Sequence, residues 1–267
     1  GPGGALPMIE AGILEEAGAE AVFGLHLWSG LPTGRIAVTP GPVMASADEF
    51  EIRVLGRGGH AAHPQDTIDA VVVGSQIVTA LQTLVSRNTD PLATAVLTVG
   101  TFHAGSNFNI IAERAVLRGT LRTFDVSLRS LLVRRLRETV EGVARALGAE
   151  AEFEFQPYYP PTVNHPLVSE YVAELAAQVV GERNVVRDMR LMGAEDFSFF
   201  LRRRPGCFFF VGSGNAARGF DQPHHSPRFD LDEEALPIGC EMFLRIAETW
   251  FDRFPEPPAA PEEEPWG

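Results

Sequence analysis

Three segments of this chain concentrate side chains that can do chemistry: GLHLWSGLPTG (24–34), GRGGHAAHP (56–64) and PHHSPRFD (223–230). Histidine unites them. A neutral imidazole offers one lone pair to a divalent metal, while its other nitrogen fixes the tautomer. His26 follows an apolar strand and precedes a Gly/Pro loop. Strand ends of an α/β sheet are where ligands bind, although a loop histidine satisfied by backbone carbonyls fits the same pattern. His224 and His225 are adjacent between prolines. Neighbours in an extended segment point opposite ways, so at most one of them faces a given metal. His60 and His63 flank Ala-Ala behind a glycine-rich turn. Their spacing matches no zinc motif, but His60 suits a donor to a developing oxyanion.

Five further polar residues accompany them. Asn107 and Asn109, in GSNFNII, can hold a carbonyl or carboxylate, or cap a turn. Arg122 projects from the polar face of a strand and fits either a bidentate carboxylate clamp or an exposed surface arginine. Glu195 and Asp196 open a helix in GAEDFSFF, where the helix dipole favours acids in any protein.

The elements that must position these groups fall into two patterns. Residues 1–41 read as a helix over 8–17, a strand over 21–25 and a loop, with TPGPV (39–43) as a hinge. Phe50, Ile52 and Val54 then alternate with charged residues, which predicts a half-buried strand. Ile68, Val71, Val78, Leu81 and Val85 predict a helix over 67–87, capped by Asp66 or Thr67. Residues 94–101 and 115–122 read as strands. Leu128, Leu132, Leu136, Val143 and Leu147 mark a second amphipathic helix stopped by Gly148. Ala151, Phe153 and Phe155 close the series as a strand. This order, βαββαβ over 44–157, is the ferredoxin-like split motif. After PYYPPT (157–162) helices are predicted over 167–180, 197–203 and 231–254, with a buried strand over 207–211 and a polar loop over 212–230. The domain reading is therefore an outer α/β domain in two parts, 1–43 and 158–254. An α+β domain is inserted at 44–157, and a disordered acidic tail follows at 255–267.

Composition bounds the function. A net charge of −13 argues against nucleic acid as a partner. All 22 basic residues are arginine, which excludes lysine Schiff-base chemistry and a lysine-bearing phosphate loop. No apolar run approaches the roughly 20 residues of a membrane span, and no signal peptide is visible. No membrane partner is expected, and a cytoplasmic location is the default. Cys207 and Cys240 make no disulfide framework and are expected to be core thiols.

Taken together, GPGGALPMIEAG, the GLH segment, GRGGHAAHPQDTIDA, GSNFNIIAERAVLRGTLRTF, GAEDFSFF and HHSPRFDLDEEAL resemble, in order, the M20 family of metallopeptidases and amidohydrolases. The likeness spans residues 1 to about 254. It is greatest to the branch of N-acyl-amino-acid amidohydrolases, hippurate hydrolases and auxin-conjugate hydrolases. The resemblance implies an α/β zinc-peptidase-type catalytic domain with the inserted unit as a lid that also dimerises. It implies two divalent ions, zinc or manganese, with His26 and His225 among the ligands and His224 not one. It places His60 at the substrate as the catalytic lid histidine, and Asn109 and Arg122 on the substrate carboxylate and carbonyl. Glu195 and Asp196 fall near the substrate pocket. In the family, a metal-ligating segment and a Glu-Glu pair precede GPGG. Here Glu15 and Glu16 follow it, so the chain reads as an N-terminally truncated member with little activity of its own. The substrate implied is an N-acyl amino acid. A non-catalytic binding or dimerisation module of the same ancestry, and a dipeptidase or carboxypeptidase of the family, are the alternatives.

Overall fold

The computed structural model describes residues 3–260. Residues 3–44 and 162–260 form one compact unit, and Ala45–Pro161 forms a second.

The first unit begins with two short helices, α1 (Ala5–Glu10) and α2 (Ile13–Glu16), then β1 (Val22–Pro32), β2 (Ile36–Ala37) and β3 (Gly41–Met44). The chain then builds the second unit: β4 (Ala47–Leu55), β5 (Gly59–His60), α3 (Ala70–Asn88), β6 (Ala95–Ala104), β7 (Ile110–Ile111), β8 (Arg114–Thr123), α4 (Val126–Ala146) and β9 (Glu150–Tyr159). It returns to the first through β10 (Thr162–Asn164), α5 (Pro166–Val180), β11 (Val185–Val186), α6 (Ser198–Leu201), β12 (Gly206–Gly214) and α7 (Ala235–Arg253).

In the first unit the sheet order is β1-β12-β2-β11, with β1 and β12 parallel. β12 is apolar and buried almost end to end. Alternation explains this. Cys207, Phe209 and Val211 enter one core with Val172, Met242 and Trp250, while Phe208 and Phe210 enter another with Leu14 and Leu201. A strand covered on both faces reads as a near-continuous apolar run, and Ser213 is the one hydroxyl in it. Asn164, fully buried, stitches this region together. Its amide nitrogen donates to the carbonyls of Thr39 (2.9 Å) and Phe208 (2.8 Å), and its amide oxygen accepts from the Phe208 N–H (2.7 Å).

The second unit is an antiparallel sheet of order β6-β8-β4-β9. Phe50, Ile52 and Val54 of β4 and Leu117 and Leu121 of β8 point to one face, where they pack with Ile77 and Leu81 of α3 and Leu136 of α4. Each such side chain contributes about 1.5–3 kcal/mol by leaving water. Gly119 has no alternative in this sheet, because a Cβ there would lie 2.2 Å from the Phe50 ring and 2.3 Å from the Thr98 carbonyl oxygen. The Asp48 carboxylate, buried on the same face, accepts from Arg129 Nε and Nη2 at 3.0 Å each. The opposite face carries Glu49, Glu51, Arg53, Arg118 and Glu154 as ion pairs within β4 and across to its neighbours.

Local chemistry moved several boundaries. α3 starts at Ala70 because Asp69, not Asp66 or Thr67, accepts from the Val71 and Val72 N–H groups. Pro64–Asp66 forms a separate 3-10 turn. The helix predicted over 8–17 breaks at Gly12, whose φ of 85° is left-handed. The strand predicted over 21–25 runs on to Pro32, and the hinge predicted over 39–43 is partly strand β3. Cys240 is exposed on α7 rather than a core thiol; only Cys207 is buried. By length and composition α3 is apolar enough to cross a membrane, although its apolar stripe packs in the second unit's core. Of the tail predicted over 255–267, residues 255–260 form no helix or strand, and 261–267 lie outside the described residues.

Candidate functional site

In the first unit the candidate groups converge on β1. His26 lies within this strand, not beyond its end. Its Nδ1 is 2.6 Å from the Leu27 carbonyl oxygen. A carbonyl only accepts, so Nδ1 carries the proton and the Nε2 lone pair is left for a ligand. Just beyond, the β1–β12 register slips between Trp28 and Pro32. Such a bulge re-aims backbone groups. Here the Ser29 N–H donates to His224 Nε2 at 3.2 Å.

His224 is the histidine brought to His26, with ring centroids 5.1 Å apart and perpendicular. It stacks on Trp28 at 4.5 Å and faces Phe229 at 4.7 Å. Trp28 in turn meets buried Phe210 edge-on at 5.6 Å. Because Nε2 of His224 accepts a hydrogen bond, its proton sits on Nδ1 and neither nitrogen has a lone pair to spare. Burial also pushes its pKa below the ordinary histidine value, helped by the neighbouring His26 and His225. The two adjacent histidines do not form the extended pair predicted. Ser226 N–H closes a turn onto the Pro223 carbonyl at 3.1 Å, with His224 and His225 at its corners. His225 is exposed and has φ 67°, the only non-glycine residue at positive φ among those described.

Glu195 and Asp196 lie in a turn before α6, not within its first turn. Asp196 Oδ2 accepts from the Gly4 and Ala5 N–H groups (2.7 and 2.9 Å), so it caps α1 from far along the chain. Burial holds the Glu195 carboxyl above its usual range. A side-chain hydrogen bond with Asp196 adds to this, and the charge of nearby His26 opposes it.

In the second unit, β5 and β7 pair His60 with Ile110, and Ala61 N–H donates to the Asn109 carbonyl at 3.1 Å. This small ladder brings His60 and Asn109 together, both exposed. The Ala62 N–H donates to His60 Nδ1 at 3.0 Å, which puts the ring proton on Nε2 as an outward donor. Asn107 caps its own turn through the Phe108 N–H at 2.9 Å. Arg122 sits on β8 opposite Val96, near enough to the buried Asp48 carboxylate to hold down its pKa. A cavity of 560 Å³ on this unit, lined among others by Glu49, Arg118, Gln156 and Tyr158, contains none of the candidate residues.

Among the described residues no three His, Cys, Asp or Glu side chains group as a metal site. The donor chemistry fits ligand positions at His26 Nε2 and at exposed His225, and the described residues do not complete a dinuclear centre. The sequence did not reveal His224 as the partner of His26, or Ser29 as its anchor. The aromatic positions Trp28 and Phe229 were the available signal.

The family described as Peptidase family M20/M25/M40 matches residues 1–249. The chain is 39% identical over 248 residues to thermostable carboxypeptidase 1 of Saccharolobus solfataricus, covering 92% of this chain and 62% of that protein. It is 38% identical over 244 residues to an N-acetylcysteine deacetylase of Bacillus subtilis, covering 91% of this chain and 62% of that one. Among solved structures it matches a Bacillus subtilis dinuclear metal-binding peptidase of the M20 family. That match has a TM-score of 0.77 and 32% identity, and covers 94% of this chain and 62% of that chain. The chain thus spans about 62% of the length of these relatives.

Proposed function

Because the chain belongs to peptidase family M20/M25/M40, a family of hydrolases, we propose that it is the larger part of a metal-dependent amidohydrolase. The reaction is hydrolysis of the amide bond of an N-acyl amino acid. Water adds to the carbonyl carbon, the C–N bond breaks, and a carboxylic acid and an amino acid leave. The observation that carries this reading is the fixed tautomer of His26, which points a free Nε2 lone pair away from the Leu27 carbonyl.

In this reading His26 and His225 are the ligands this chain contributes to a pair of divalent ions, zinc or manganese. When bound, such ions would supply an acidified water and a polarised carbonyl. His60 donates its Nε2–H to the oxyanion, a role supported by the Ala62 N–H that occupies its Nδ1. Asn109 and Arg122 take the amino acid's carboxylate and carbonyl, and Glu195 and Asp196 border the pocket. The residue 45–161 unit serves as the lid, its βαββαβ order being the ferredoxin-like one. It is also the surface of a homodimer, a reading supported by β6 standing at one end of the four-stranded sheet. A carboxypeptidase activity on the same site is the second reading, favoured by the relative that bears that name.

The test compares the 267-residue chain with one extended at its N-terminus by the segment its longer relatives have. Both receive zinc or manganese and a panel of N-acetyl and N-benzoyl amino acids and dipeptides. Hydrolysis of the acyl amino acids by the extended chain alone is the expected result. Cleavage of dipeptides only moves the assignment to the carboxypeptidase. No hydrolysis by either, with the unit still dimerising, leaves a binding module and refutes the proposal.

A further inference from the structure

We propose that His224 is a positioning residue, the anchor that holds the turn carrying His225 against β1. The inference rests on the amidohydrolase reading for His225's task, but its geometry is independent of that reading.

Four observations build it. The ring of His224 stacks on Trp28 at 4.5 Å and packs, tilted, against Phe229 at 4.7 Å. Trp28 is backed by the buried Phe210, so the stack is tied to the core of its unit. The bulge in β1 frees the Ser29 N–H, which donates to His224 Nε2. Room for the stack is set by Gly30, where a Cβ would lie 2.8 Å from Trp28 Nε1. These contacts engage the His224 ring with two aromatic neighbours and use one of its nitrogens, and its other nitrogen holds the proton. Nothing in that arrangement binds a metal or a substrate. The neighbour, His225, is exposed at φ 67°. Outside glycine this conformation is strained and persists only where the surroundings over-determine it. The stack one residue away supplies that constraint.

Two variants separate the ring from its hydrogen bond. His224→Phe keeps the stack and loses the acceptor for Ser29. His224→Gln keeps an acceptor and loses the ring. His224→Ala loses both. The first readout uses the 267-residue chain, by limited trypsin cleavage after Arg228, which is exposed on the same loop. The second uses the N-terminally extended protein, as zinc affinity measured by chelator competition. His224→Ala is expected to speed cleavage after Arg228 at least tenfold and to weaken zinc binding about 10–100-fold, as loss of an outer support does. His224→Phe is expected to restore most of both. His225→Ala is expected to lower zinc affinity without opening the loop. Unchanged cleavage and affinity in His224→Ala would overturn the proposal. Faster cleavage with unchanged affinity would also overturn it, because the loop would then be anchored to no effect on His225. Absence of zinc binding in the unsubstituted extended protein would instead overturn the metal-dependent reading, and with it any task for His225.

Discussion

Substituting Arg129 by Met isolates the energetics of the second unit's buried ion pair. Asp48 and Arg129 have side-chain exposures of 0% and 6%, and their two 3.0 Å hydrogen bonds satisfy the carboxylate on both oxygens. Met keeps most of the volume and removes the charge. It also removes the guanidinium from over the Phe155 ring, 5.0 Å from its centroid. An uncompensated buried charge costs about 3–5 kcal/mol. At roughly 4 °C per kcal/mol for a unit of this size, that is a fall of about 12–20 °C in its midpoint. The pH dependence has a definite sign. Burial already raises the Asp48 pKa, with Arg129 opposing it; without Arg129 it rises further. A group whose folded pKa exceeds its unfolded value gives stability that is complete below the unfolded pKa and lost as pH rises through the folded one. The deficit of the variant is therefore smaller near about pH 5 than near about pH 8. The double variant Asp48→Leu/Arg129→Met removes the stranded charge and recovers most of the loss. The assay is amide exchange of β4 and β9 by mass spectrometry, which reads this unit's opening free energy alone. A cost under about 1 kcal/mol for Arg129→Met, or a double variant no more stable than the single one, would refute the reasoning.

Under native conditions iodoacetamide should label exposed Cys240 and spare Cys207, whose thiol burial pushes up to about 12; peptide mass mapping reads this. Gly119→Ala should destabilise the second unit by about 1–3 kcal/mol or more, since both clashing atoms belong to its packed sheet. The check is again exchange of β8. Asp196→Ala removes the acceptor of two N–H groups at the start of α1 and should cost about 0.5–2 kcal/mol. It should appear as faster exchange in residues 4–10 with α5 unaffected.

What was legible in the sequence was periodic. Phe50, Ile52 and Val54 announce β4 because one face of that strand meets the helices, and the leucines of 128–147 announce α4 because a helix buries one stripe. The helix predicted over 167–180 matches α5 to within a residue for the same reason. What was not legible depends on partners far along the chain. Asp196 looked like the acid of its own helix's first turn, yet it caps α1, 192 residues away from Gly4. His224 and His225 looked like an extended pair because prolines flank them, whereas a turn with a left-handed second corner separates their environments. The bulge in β1 has no local signature, since it arises where Gly212 and Gly214 let the strand's backbone pack closely against them. His60 and Asn109 are nearly 50 positions apart and meet through a ladder only two residues long, too short to leave a pattern.

Asn164 carries a consequence for how this chain tolerates change. Its side chain is read by three backbone groups, two of which are carbonyl oxygens that accept from its amide nitrogen. Aspartate has almost the same shape and differs from asparagine by one base in the codon. At this position it would aim a carboxylate oxygen at the carbonyls of Thr39 and Phe208 in a fully buried site. Burying an acceptor against acceptors costs several kcal/mol, so among the smallest genetic steps available to this residue, the one that looks most conservative is one of the most damaging.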